Sequence, residues 1–202
     1  VFKGTPDRSA FELARDLEAI GAQIDAYTTK EHTGYTLQVL PDHLEDALEI
    51  LASMLEASTF PEDQLQLEKE VVLEEIHSAE DNPEDFVHEQ FCERLWPDHV
   101  LRRPVLGTKE SVQAIDRATL QAWSDDVHRG GNIIVSAAGS IGPREDEVLS
   151  RAFDFATGSA PRSEERPAAF APGVHALERA GLSQQYLEIG VPAVTHDQRM
   201  IP

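Results

Sequence analysis

The 202-residue chain is long enough for one large domain, or one domain and part of another, and its 41% apolar, 27% charged composition suits a globular protein with a real core. A formal charge of −20, from 37 acidic against 17 basic residues, argues against nucleic acid as a partner, because phosphate binding needs clustered Lys and Arg. No run approaches the roughly 20 apolar residues of a membrane span, and the single cysteine, Cys92, excludes an internal disulfide framework and a multi-cysteine zinc site while favouring the cytoplasm.

Ser9-Ala-Phe-Glu12 is a capping box, and Phe11, Leu13, Ala14, Leu17 and Ile20 continue it at helical spacing until Gly21 stops the helix. Ala22 to Thr29 and His32 to Leu40 are rich in β-branched and aromatic residues around a short break, which predicts a β-hairpin. After Pro41-Asp42, the positions of Leu44, Ala47, Leu48, Leu51, Met54 and Leu55 give a second amphipathic helix to cover the sheet. A third helix runs from Pro61 to Ala79, and Asp81-Asn82-Pro83 separates it from a fourth that carries Phe86, Phe91 and Leu95.

Trp96 to Gly107, with two prolines, reads as a long ordered loop. Thr108 and Asp116 open further helical turns that reach His128, and Gly130-Gly131 ends them. Asn132 to Ala138 is an apolar run fit for a buried strand, followed by a helix from about Arg144 to Phe155.

The expected fold class is therefore α+β, a mixed and mainly antiparallel sheet covered by helices. Residues 1–160 form the main unit, and 161–173, with Pro161, Pro167 and Pro172, has the composition of a linker. Residues 174–202 begin a second unit, with strands expected at Val174 to Ala180 and Gln184 to Val191. The opening Val-Phe-Lys-Gly and the ending Met200-Ile-Pro both read as cut ends.

Glu68 and Glu75 stand seven residues apart on the third helix. At about 100° per residue they share one face, roughly 10 Å apart along the axis. One could reach a metal while the other supports it, although acidic pairs at this spacing are common on solvated helix faces. His77-Ser-Ala-Glu80-Asp81 fails as a zinc motif because Asp81 replaces the second imidazole. His88-Glu89-Gln-Phe-Cys92 fails in a similar way, with Cys where H-E-x-x-H needs His. No G-x-S-x-G, Walker-type or G-x-G-x-x-G run occurs.

Phe2-Lys3-Gly4-Thr5, Asp25-Ala26-Tyr27-Thr28 with Glu31 and Thr33-Gly-Tyr35, Glu68-x-x-Val-Val-Leu-x-Glu75, Arg103-Pro-Val-Leu-Gly107 and Gly131-Asn-Ile-Ile-Val-Ser-Ala-Ala-Gly139 occur in this order. Together they resemble the pitrilysin, insulinase and mitochondrial processing peptidase family, in its bacterial processing-peptidase-like form. The resemblance implies a zinc metalloendopeptidase holding one zinc ion. A helix H-x-x-E-H lying just before Val1 would supply two His ligands and the general base. The family's remaining ligand, about 75 residues beyond the second His, falls on Glu75, with Glu68 as the supporting carboxylate.

The resemblance further implies that peptide or protein substrates bind as an added β-strand along Asp25, Ala26, Tyr27 and Thr28, where Asp25 replaces the usual Asn. It implies homologous units in one protein, a fragment inactive alone, and pairing as a homo- or heterodimer. The competing readings are a noncatalytic family member serving as scaffold or partner subunit, and an acidic interaction domain without metal.

Overall fold

In the computed structural model, which describes residues 1–155 and 168–192, the first helix begins where its cap predicts. The Ser9 hydroxyl accepts the Glu12 amide, and the Glu12 carboxylate accepts the Ser9 amide at 2.8 Å. Helix α1 (Ala10–Ala19) buries Leu13 and Leu17, four residues apart and so on one stripe. Gly21 then turns the chain with a left-handed φ of 65°.

The hairpin pairs β1 (Gln23–Thr28) with β2 (Thr33–Gln38) in antiparallel register, Tyr27 opposite Gly34 and Asp25 opposite Thr36. Its inner positions alternate: Ile24, Tyr35 and Leu37 pack onto the core. A Cβ at Gly34 would come within 2.4 Å of the Tyr27 ring, so the glycine is what lets that ring lie across the neighbouring strand. Thr29 closes the two-residue turn by accepting the amides of Glu31 and His32 through its hydroxyl.

Helix α2 (Leu44–Glu56) buries Ala47, Leu48, Ile50, Leu51, Ala52, Met54 and Leu55, more than one face, because the hairpin and other helices surround it. The core cluster joins Leu13 and Leu17 to Ile50, Leu51, Met54 and Leu55, with Phe2, Phe153 and Phe155 at its border. Each such side chain contributes about 1.5–3 kcal/mol on burial.

Helices α3 (Glu62–Asp81) and α4 (Pro83–Leu95) break at Asn82. A residue before proline is driven out of the helical region, and Asn82, at ψ 116°, instead caps α4 by accepting the Glu84 amide. Thr108 and Asp116 cap α5 (Lys109–Ala114) and α6 (Arg117–Val127), and α7 (Pro143–Ala152) packs against α2. The predicted loop from Trp96 to Gly107 carries one 3-10 turn, Val100–Arg102.

The α+β class holds, with a two-stranded antiparallel sheet and seven α-helices among the described residues, but three expectations fail. Residues 132–138 are neither buried nor a strand: Ile134 is 95% exposed, and nothing there bonds to β2 among the described residues. The stretch and β2 line one open cavity of about 1110 Å³, so the apolar run lies beside the sheet without a hydrogen-bonded neighbour, and a strand is defined by its neighbour. Gly130-Gly131 does not end α6, which stops at Val127; the pair lies in a following 3-10 turn.

Val174 to Ala180 and Gln184 to Val191 form no ladder either. They lie against α4 and the end of α3 instead: Arg179 pairs with Asp81 at 3.2 Å and Glu188 meets His88 at 2.9 Å, and just before them Ala171 donates its amide to the Leu95 carbonyl. Most of the expected linker and residues 193–202 lie outside the described residues. No described helix is long and apolar enough to cross a membrane.

Candidate functional site

Helix α3 is 20 residues long but buries only Leu65 and Ile76, so most of its surface is left to charged side chains. Glu68 and Glu75 project from one face of this helix, as their spacing requires. Their surroundings differ. The Glu68 carboxylate receives the Lys3 ammonium at 2.7 Å, with side-chain exposures of 43% and 37%. Glu75 is exposed and has no hydrogen bond or ion pair among the described residues.

Lys3 is the partner of Glu68 that sequence reasoning missed. It belongs to Phe2-Lys3-Gly4-Thr5, but no local signal ties it to a carboxylate 65 positions away. Its segment is held from several directions. The Val1 carbonyl accepts the Ser58 hydroxyl at 3.2 Å, and the Gly4 carbonyl accepts the Thr59 amide at 3.1 Å. Gly4 sits at φ 137°, a conformation a side chain would strain, and a Cβ there would come within 3.3 Å of the Thr59 hydroxyl. Val1 is near enough to Glu68 for that carboxylate to act on its α-amino group, which burial pushes down and Glu68 pushes up.

Zinc accepts carboxylate oxygens and needs at least three protein ligands. Among the described residues no group of three His, Cys, Asp or Glu could hold a metal ion. Glu75, exposed and without a partner among the described residues, has a carboxylate free to serve as one such ligand. The dismissed histidines stay dismissed. His77 reaches only Asp81, at 3.8 Å on an exposed helix end. His88 lies 3.6 Å from the Cys92 thiol and also contacts Glu188, while its neighbour Glu89 turns to Lys30 instead. Burial pushes the Cys92 thiol up, which leaves it protonated and a poor ligand or nucleophile.

The second expected feature is the β1 edge. Thr29 donates its amide to His32 across the turn, so by ladder alternation the odd-numbered residues of β1 bond to β2, while Ile24, Ala26 and Thr28 turn their backbone groups to the free edge. These are the groups an added strand uses. The Asp25 carboxylate, however, accepts the Ala26 amide at 2.9 Å, so one outward donor is already engaged. Tyr27 is half exposed and stands edge-on to His32, ring centroids 5.8 Å apart. At the turn, Lys30 bonds Glu89 of α4 at 3.2 Å and the Arg103 carbonyl at 3.0 Å. Asp25, Ala26, Tyr27 and Thr28 thus form one edge braced by α4, and Glu68 and Glu75 one helix face.

The described residues thus form an α+β unit with an exposed hairpin edge and a carboxylate-bearing helix. The family model described as Insulinase (Peptidase family M16) matches residues 1–109, and the chain belongs to that family.

Similar proteins include an uncharacterized zinc protease of Bacillus subtilis, YmxG, at 40% identity over 140 residues, which is 69% of this chain and 34% of that protein. An uncharacterized zinc protease of Rickettsia bellii is 31% identical over 196 residues, 96% of this chain and 47% of that protein. The chain thus spans between a third and half of the length of these relatives. Among solved structures, a peptidase M16 inactive domain from Pseudomonas fluorescens has a TM-score of 0.77 at 24% identity, over 82% of this chain and 41% of its own. A protease from Helicobacter pylori has a TM-score of 0.70 at 19% identity, over 82% of this chain and 40% of its own. At these identities the two structures bear on the fold alone.

Proposed function

We propose that this chain is part of a zinc-dependent metalloendopeptidase in which Glu75 donates one carboxylate ligand, Glu68 supports the site from the same helix face, and the β1 edge carries the peptide. The observation that supports it best is the division of labour on α3, where one of two co-facial carboxylates is tied to a lysine and the other is exposed and unpaired. Bound zinc supplies an acidified water and a polarised scissile carbonyl. The chain's own residues hold the substrate: Ile24 and Thr28 offer backbone donors and acceptors, and Ala26 its carbonyl, that read extended peptide with little regard to its sequence. The remaining ligands and the general base would come from outside the described residues, which hold no group of three metal ligands.

The test is zinc per mole in the full-length protein and in its Glu75→Gln variant, with hydrolysis of labelled casein followed in parallel. Full-length protein with one zinc, and a variant with markedly less zinc and no hydrolysis, is the expected result; equal and substantial zinc in both sinks the ligand assignment. The competing reading is a noncatalytic member of the family serving as scaffold or partner subunit. Under that reading the full-length protein binds no zinc and cleaves nothing.

A further inference from the structure

Three of the four residues in Phe2-Lys3-Gly4-Thr5 serve the fold. Phe2 packs against the core cluster with its ring 6.4 Å from that of Tyr35, Gly4 supplies the positive φ, and the buried Thr5 hydroxyl accepts the Arg8 amide at 3.2 Å. Lys3 alone turns to the carboxylate helix. Its backbone is fixed on both sides by Ser58 and Thr59, so the ammonium reaches Glu68 from an anchored segment and not from a free loop. The adjacent Lys69 is committed elsewhere, to the Gln113 carbonyl at 3.1 Å. Glu68 therefore has Lys3 as its ion-pair partner, while Glu75 on the same face has none.

Resting on the peptidase reading above, we propose that Lys3 is a positioning residue of the metal site. It fixes the Glu68 carboxylate and neutralises its charge, which leaves Glu75 as the carboxylate available for zinc. Without Lys3, two unpaired carboxylates stand on one face. Glu68 is then free to rotate, and it adds a negative charge to a site whose ion must stay electrophilic.

The experiment uses the full-length protein with Lys3→Ala, Lys3→Arg, Glu68→Gln and the double variant Lys3→Ala/Glu68→Gln. Zinc content, the rate of zinc loss to EDTA, and kcat and KM on labelled casein are measured for each. Lys3→Ala is expected to keep one zinc per chain, lose it to EDTA about tenfold faster, and lower kcat about 10- to 100-fold. Its KM stays within about twofold of wild type, since a group acting only on the reacting site leaves substrate binding in place. Lys3→Arg restores most of both losses. The double variant is no worse than Glu68→Gln alone, because both changes break one interaction.

Lys3→Ala with wild-type kcat and wild-type zinc release, or losses that multiply in the double variant, overturns the role. If casein is not cleaved, the EDTA rates decide alone. A wild type without zinc overturns the peptidase reading, and this role falls with it; a zinc-loaded wild type with an indifferent Lys3→Ala overturns this role only.

Discussion

Lys30 provides a sharp test of what holds the β1 edge in place. Its ammonium spans from the hairpin turn to Glu89 of α4 at 3.2 Å and to the Arg103 carbonyl at 3.0 Å, and its side chain is only 17% exposed. Lys30→Met keeps the length and removes both bonds. Hydrogen bonds to a charged group contribute about 1.5–3 kcal/mol, and Glu89, a third exposed, regains part of this from water, leaving a loss of about 1–2 kcal/mol. With a urea m-value of about 2 kcal/mol/M, the midpoint falls by about 0.5–1 M.

Unfolding is followed by the fluorescence of Trp96 and Trp123, the former at the start of the loop that carries Arg103. The control is Lys109→Met, which breaks a shorter pair, 2.7 Å to Glu80, whose side chains are 45% and 51% exposed. Exposed pairs contribute little because water and side-chain entropy offset the attraction, so this variant keeps the wild-type midpoint within measurement error. Equal shifts in the two variants refute the reasoning, since distance and not burial would then set the contribution.

His128 is half-buried between Tyr35 and Trp123, and burial holds its imidazole below the ordinary value of 6.5. As pH falls through 6.5 the unfolded chain takes up the proton first, so this contribution to stability is present above 6.5 and lost below it; urea midpoints at pH 7.5 and 5.5 should differ less in His128→Gln than in wild type, and equal differences contradict it. At the β1 edge, Asp25→Asn keeps an acceptor for the Ala26 amide and adds an amide donor. A single added hydrogen bond is worth about 0.5–1.5 kcal/mol, so the full-length protein's KM for casein should fall about 2- to 10-fold at constant kcat, and an unchanged or higher KM rejects the strand-addition geometry.

Legibility followed the range of the interactions. Ser9, Asn82, Thr108 and Asp116 each bind an amide two or three residues ahead, so the sequence carries the whole interaction and the helix starts could be read from it. The hairpin was legible for the same reason, its turn being two residues long and held by Thr29. Residues 132–138 misled because a β-branched apolar run states only that a strand would be stable with a partner. Residues 174–191 misled further: alternation suggested strands, whereas the segment is fixed by Arg179 to Asp81 and Glu188 to His88, contacts about a hundred residues apart in sequence.

The two glutamates of α3 show the same limit at the scale of one site. In sequence they are equivalent, two carboxylates on one face, and the choice of Glu75 as ligand came from resemblance and counting alone. The fold breaks that equivalence with a residue from the far side of the hairpin and α2. Gly4 lets the opening segment turn against Thr59, and that turn carries the Lys3 ammonium to Glu68. A carboxylate held by an ammonium has part of its charge already neutralised and is the weaker donor to a metal, while an unpaired one gives up only water. Glu75 is therefore favoured as ligand by an independent physical argument, and the counting and the geometry can be tested separately: Glu75→Gln tests both, whereas Lys3→Ala tests only the geometry.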